Sequence, residues 1–177
     1  MKRFVLTGAP GAGKTVLLRR LELDGFSVVE EAATDVIVLA QAQGVAEPWT
    51  DPSFIDDVVE LQRLRQQRAA REPAQVQFHD RSAVCTAALA EFLGYPISET
   101  LAQELARLEG ETVFRKRVFF VRSLGFIVPT EARRISLEDA IRFERIHEEI
   151  YRKHGFEIFF IEPGPLSVRI EALKRAL

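Results

Sequence analysis

One octapeptide near the N-terminus, Gly8-Ala9-Pro10-Gly11-Ala12-Gly13-Lys14-Thr15, constrains this chain more than any other feature. It matches G-x-x-x-x-G-K-[ST] at every fixed position. It follows an apolar run of strand length, residues 3–7, and opens a segment of helical periodicity, residues 14–24. That placement is what phosphate binding needs. Glycines let the backbone wrap its N–H groups around phosphate oxygens, and the helix N-terminus adds unpaired donors and the positive end of its dipole. Gly8, Ala9, Pro10, Gly11, Ala12, Gly13, Lys14, Thr15 and Val16 are therefore expected to hold a nucleoside triphosphate. Lys14 is placed to reach the β and γ phosphates, and the Thr15 hydroxyl to ligate Mg²⁺. The chain contains no Asn, so the guanine-reading N-K-x-D motif cannot occur and ATP is the expected nucleotide.

Composition limits what surrounds this loop. A length of 177 residues fits a single domain, 1–177, with no separate substrate domain. The apolar fraction of 47% against 28% charged residues provides a core and excludes wholesale disorder. The net charge of −2 gives no general reason to bind nucleic acid or an anionic membrane. Cys85 is the only cysteine, which excludes an intrachain disulfide and a thiolate zinc cluster and points to a reducing, cytoplasmic setting. No run of about 18 apolar residues is present to span a bilayer.

Strand-length apolar runs alternate with longer periodic segments, the pattern of a parallel sheet with helices on its faces. After the first strand and helix, with Gly25 as the stop, strands are expected at 26–29, 75–80, 118–121 and 157–161. Helices are expected at 31–43, from Asp51-Pro52 to about 72, and at 82–93, 98–109 and 166–177. A long helix begins at Ser136, capped with Asp139, and carries Ala140, Phe143, Ile146 and Ile150 as its buried stripe. The third strand fits least well, because Gln75, Gln77 and His79 alternate with Val76 and Phe78 where a central strand is usually apolar.

In an open α/β sheet, ligands gather at the carboxyl ends of the strands. Glu30 and Glu31 follow the second strand, and Asp80-Arg81-Ser82 end the third. A carboxylate at Asp80 can hold Mg²⁺ or its water, and one at Glu31 can accept a proton from an attacking hydroxyl. The bland alternatives are helix capping for Asp80 and first-turn helix charge for Glu30 and Glu31. Residues 115–134 hold Arg115, Lys116, Arg117, Arg122, Arg133 and Arg134 against Glu131 alone, a local net charge of +5. Arginines on a lid within 122–145 would stabilise charge on a transferring phosphoryl group. A solvated basic loop paired to Glu144, Glu148 and Glu149 is the competing reading, and it is preferred for Arg115 to Arg117. Arg63, Arg65, Arg68 and Arg71 read as solvated surface. Trp49, Phe54 and Tyr95 read as core or turn anchors, His79 as structural and Cys85 as a small buried hydrophobe. His147 and His154 lack partner cysteines, so no zinc is assigned.

The loop at Gly8–Thr15, Val28-Val29-Glu30-Glu31-Ala32-Ala33, Phe78-His79-Asp80-Arg81-Ser82 and the arginine-bearing segment together resemble a known family. It comprises small P-loop ATPases related to the ribosylnicotinamide kinase domain of bacterial NAD-metabolism regulators, also classed as AAA-type ATPases. The resemblance implies the α/β fold of nucleoside and nucleotide kinases, a five-stranded parallel sheet with helices on both faces and a helical lid. It implies that Glu31 faces the phosphate acceptor and that Asp80-Arg81-Ser82 matches the acid-Arg-Ser motif of deoxynucleoside kinases. The chain departs from the pattern at His79, where an apolar or aromatic residue is usual, and at Thr34, where an Arg is common.

The resulting expectation is a kinase moving the ATP γ-phosphoryl to a nucleoside-like or other small metabolite. Lys14, Glu31, Asp80, Arg81 and Arg134 would act in catalysis, with Thr15 and Asp80 at Mg²⁺ and Arg133 on the nucleotide. The alternative is a regulatory ATPase module that switches a protein or lipid partner.

Overall fold

The computed structural model describes residues 1–8, 11–123 and 136–177. Five strands form one sheet: β1 (Lys2–Thr7), β2 (Ser27–Val29), β3 (Val76–Asp80), β4 (Arg117–Val121) and β5 (Glu157–Ile161). Their spatial order is β2-β3-β1-β4-β5 and every pairing is parallel. Between them run α1 (Lys14–Leu23), α2 (Ala33–Ala42), α3 (Ser53–Ala69), α4 (Ala83–Leu93), α5 (Glu99–Gly110) and α6 (Leu137–Lys153), and α7 (Leu166–Arg175) ends the described chain.

Side-chain alternation divides the core into two layers. Phe4, Leu6, Phe78, Phe119 and Val121 face α1 and α7, packing on Leu17, Leu18, Leu21, Ile170 and Leu173. Val5 and Val118 face the opposite way, into a larger cluster built from α3, α4, α5 and α6, with Val58, Val84, Leu101 and Phe143 among its buried members. The expected stripe on α6 holds at Ala140, Phe143 and Ile150; Ile146 is only half-buried, and His147 is fully buried beside it.

The polar third strand is resolved by local pairing. Gln77 and His79, both buried, face the α3–α5 layer. Gln77 Nε2 donates to Ser27 Oγ at 3.0 Å and to the Ala69 carbonyl at 3.1 Å, while its Oε1 meets His79 Nε2 at 2.9 Å. The His79 ring also packs edge-on to Phe114, with centroids 4.9 Å apart. A central strand tolerates polar side chains when each finds its partner inside.

With β3 and β4 flanking β1, the carboxyl ends of these strands open onto a crevice where the chain's path across the sheet changes direction. The loop after β1, the Glu30-Glu31 turn after β2 and Asp80-Arg81 after β3 all lie on this edge.

Candidate active site

The phosphate loop is built around three left-handed glycines. Gly8, Gly11 and Gly13 have φ of 131°, 81° and 82°, and Gly13 is the N-cap of α1. Gly8 is irreplaceable on spatial grounds as well, because a Cβ there would lie 2.1 Å from the Val121 carbonyl oxygen at the end of β4. Lys14 is buried and its Nζ donates to the Gly8 carbonyl at 2.9 Å, so the side chain curls back over the loop. Thr15 and Val16 stand exposed on the first turn of α1. Ala9 and Pro10 lie outside the described residues.

On the other side of the crevice, Glu31 and Arg81 come together. Arg81 Nε stands 3.6 Å from Glu31 Oε1, and the Arg81 side chain is only 12% exposed. The second Glu31 oxygen accepts from the Thr34 hydroxyl at 2.6 Å. Arg81 adopts φ of 72°, a left-handed conformation unusual for a residue with a Cβ, while its N–H donates to the Leu6 carbonyl at 3.1 Å. Backbone strain of this kind costs about 1–3 kcal/mol and concentrates at functional sites.

His147 on α6 completes the arrangement. Its Nδ1 lies 2.9 Å from the Phe143 carbonyl and its Nε2 lies 3.2 Å from Arg81 Nη1. A carbonyl can only accept, so Nδ1 carries the proton and Nε2 offers its lone pair to the guanidinium. Burial, and then the charges of Arg81 and Lys14, hold the imidazole well below its usual pKa, which keeps it neutral and able to accept. Sequence reading weighed His147 only as a metal ligand. Its partner is 66 residues away, and no local pattern signals that contact.

Behind this group, Tyr151 Oη meets Ser82 Oγ at 3.1 Å and Cys85 Sγ at 2.9 Å, and Cys85 Sγ meets Thr7 Oγ1 at 3.1 Å. Burial, with Cys85 adding to it, raises the Tyr151 phenol well above its ordinary pKa, so it stays neutral. Cys85 is buried as expected and also links β1 to α6 through this chain of polar groups. Ser82 is the N-cap residue of α4, its side chain making no capping hydrogen bond, and Asp80 ends β3.

The basic residues divide. Arg117 pairs with Glu157, and Lys116 donates to the His154 carbonyl, so these act in structure. Arg122 pairs with Glu144 and Glu148 and lies 3.9 Å from the Phe160 ring centroid. Arg142 lies over Phe92 and is largely exposed. Arg133 and Arg134, with residues 124–135 of the expected lid, fall outside the described residues. Arg65 differs from expectation: it donates to the Glu30 and Glu31 carbonyls and pairs with Asp35, clamping the turn that carries Glu31. An Arg on an exposed helical pattern gives no sign that its guanidinium reaches a distant turn.

Among the described residues, no group of three or more His, Cys, Asp or Glu side chains forms a metal cage. The Thr15 hydroxyl and Asp80 carboxylate are hard oxygen donors, of the kind Mg²⁺ takes when phosphates supply its other ligands. Among the same residues no helix is long and apolar enough to cross a membrane.

A glycine loop between β1 and α1, on a five-stranded parallel sheet, defines a P-loop NTPase with a nucleoside kinase-like fold. A family model described as an AAA domain matches residues 3–169, and the chain belongs to that family. A sequence comparison with curated proteins finds no match. Among solved structures, NadR in complex with NAD and AMP-PNP superposes with a TM-score of 0.71 at 19% identity, over 98% of this chain and 49% of that one. NadR in complex with NR gives 0.66 at 21%, over 98% and 50%. Deoxyadenosine kinase from M. mycoides, with dCMP and a flexible dCDP bound, gives 0.64 at 12%, over 98% and 97%. At these identities the likeness establishes the fold. This chain spans about half the length of the NadR chains it matches.

Proposed function

We propose that the protein is an ATP-dependent phosphotransferase that moves the γ-phosphoryl group to a hydroxyl or phosphate of a small, nucleoside-like acceptor. The observation that carries this reading is the Glu31–Arg81–His147 group across the crevice from the phosphate loop. A module that only bound nucleotide would have no use for a buried, strained arginine beside a carboxylate on the acceptor side.

In this reading the loop N–H groups and Lys14 hold the triphosphate, Lys14 exchanging the Gly8 carbonyl for β- and γ-phosphate oxygens. Thr15 and Asp80 would hold Mg²⁺, which when bound neutralises charge on the phosphates. Glu31 accepts the proton of the attacking hydroxyl, and its bond from Thr34 fixes the carboxylate plane. Arg81, kept in place by neutral His147, stabilises charge on the transferring group. Arg133 and Arg134 are assigned to the nucleotide and the transition state from their place in the basic cluster at residues 115–134. ATP is favoured over GTP by the absence of Asn, and NadR and deoxyadenosine kinase, whose folds this chain shares, are crystallised with AMP-PNP and with deoxynucleotides.

Glu31→Gln tests the assignment. Phosphoryl transfer should fall by about 100-fold or more, the scale of a lost general base, while ATP affinity stays within a few-fold of the parent. Undiminished turnover would remove Glu31 from the mechanism.

A further inference from the structure

Arg169 lies in α7, far in sequence from every motif so far considered, and its guanidinium sits against the phosphate loop. The side chain is buried, at 6% exposure, and its Nη2 donates to the Ala12 carbonyl at 2.8 Å. A Cβ on Gly13 would come within 3.0 Å of Nη1. The buried Nε has no hydrogen-bond partner. Among the described residues no carboxylate pairs with this arginine. Burial with nothing to offset it accordingly lowers its pKa.

A buried guanidinium without an anion is costly, and such groups are normally paired. The position of Arg169 suggests where its anion comes from. Ala12 C=O and Gly13 N–H are the two edges of one trans peptide and point in opposite directions. By holding the carbonyl, Arg169 turns the Gly13 N–H away from itself. It also polarises that N–H, because hydrogen bonds along one peptide strengthen each other.

We propose that Arg169 is a positioning residue of the triphosphate site, orienting the Ala12–Gly13 peptide so that Gly13 N–H faces phosphate, with the bound polyphosphate as the counter-charge to its buried guanidinium. This rests on the phosphate-loop part of the proposed function and not on the identity of the acceptor. It explains why α7 carries an arginine on the face that otherwise packs Ile170 and Leu173 against α1. The charge adds to the α1 N-terminus and Lys14, concentrating positive potential where a polyphosphate would bind.

The test measures binding of Mg·ADP by titration calorimetry, with the melting temperature of the ligand-free protein, for the parent and three variants. Arg169→Met removes donor and charge, Arg169→Gln keeps a donor for Ala12, and Arg169→Lys keeps the charge. The proposal expects Met and Gln to weaken Mg·ADP on the order of 10- to 100-fold, the range for losing a charged hydrogen-bonding partner. Lys should stay within a few-fold, and the ligand-free melting temperature should be unchanged or raised in Met and Gln. Parent-like affinity in Arg169→Gln, or Lys as weak as Met, overturns it. A scaffold role alone would lower the ligand-free melting temperature in Met and Gln and leave affinity in the folded protein unchanged, which also overturns it. Failure of the parent itself to bind Mg·ADP would instead sink the phosphate-loop reading, and this inference with it.

Discussion

Two arginines and a histidine carry the account at the level of single residues. Arg81 is readable from the sequence because it sits in Asp80-Arg81-Ser82 at a strand end, and the structure places it against Glu31. His147 and Arg169 were not readable, because each acts on a segment 66 or 157 residues away. Helical periodicity says only which face is buried. Whether a buried polar residue will meet a guanidinium or a backbone carbonyl is decided by how α6 and α7 dock on the sheet. The role of His147 as acceptor for Arg81 makes a specific prediction. His147→Phe keeps the ring volume but removes the acceptor, so kcat should fall roughly ten-fold, the equivalent of one lost charged hydrogen bond. The affinity for ATP should stay near that of the parent, and His147→Gln should recover part of the rate. A fall in ATP affinity with kcat unchanged would place His147 in nucleotide binding instead.

The elements themselves were largely legible. β5 is found over residues 157–161 as expected, and most other ends differ from expectation by one to three residues, as fraying and capping allow. β3 departs from the apolar rule because Gln77 and His79 satisfy each other and the backbone within the α3–α5 layer, a tertiary pairing that strand propensity cannot register. Burial, with Arg3 adding to it, lowers the His79 pKa to about 3 from its ordinary 6.5. Between these values the unfolded chain binds a proton that the native state refuses, so stability falls as pH drops through 6.5 toward 3. The contribution is about 1.4 kcal/mol per pH unit for one such group. In urea unfolding at pH 6.0, 5.0 and 4.0, His79→Gln should show a shallower loss of stability than the parent by roughly that slope. Parallel curves for the two proteins would mean that His79 is protonated, or water-exposed, in the native state.

For the whole molecule, two apolar layers fix a parallel sheet whose carboxyl edge gathers the phosphate loop, the Glu31 turn and Arg81 into one crevice. The alternation of strands and helices predicted the layers. The same pattern placed all five strands, while the strand order rests on long-range pairings that periodicity does not encode. The phosphate loop was legible because its chemistry is local and contiguous. The wall facing that loop was only half legible, since Glu31 and Arg81 stand in recognisable segments while Arg65, which clamps the Glu31 turn, reaches it from α3. The central claim is that this crevice transfers a phosphoryl group to a small molecule. The most direct measurement is Mg·ATP consumption against a panel of nucleosides, nucleotides, vitamins and sugars, with Lys14→Ala as an inactive control. The account predicts that one acceptor raises turnover ten-fold or more, about 1.4 kcal/mol of barrier, and appears phosphorylated in equal amount to the ADP formed. Binding of ATP with no acceptor changing its consumption would contradict it and favour a nucleotide-switched module.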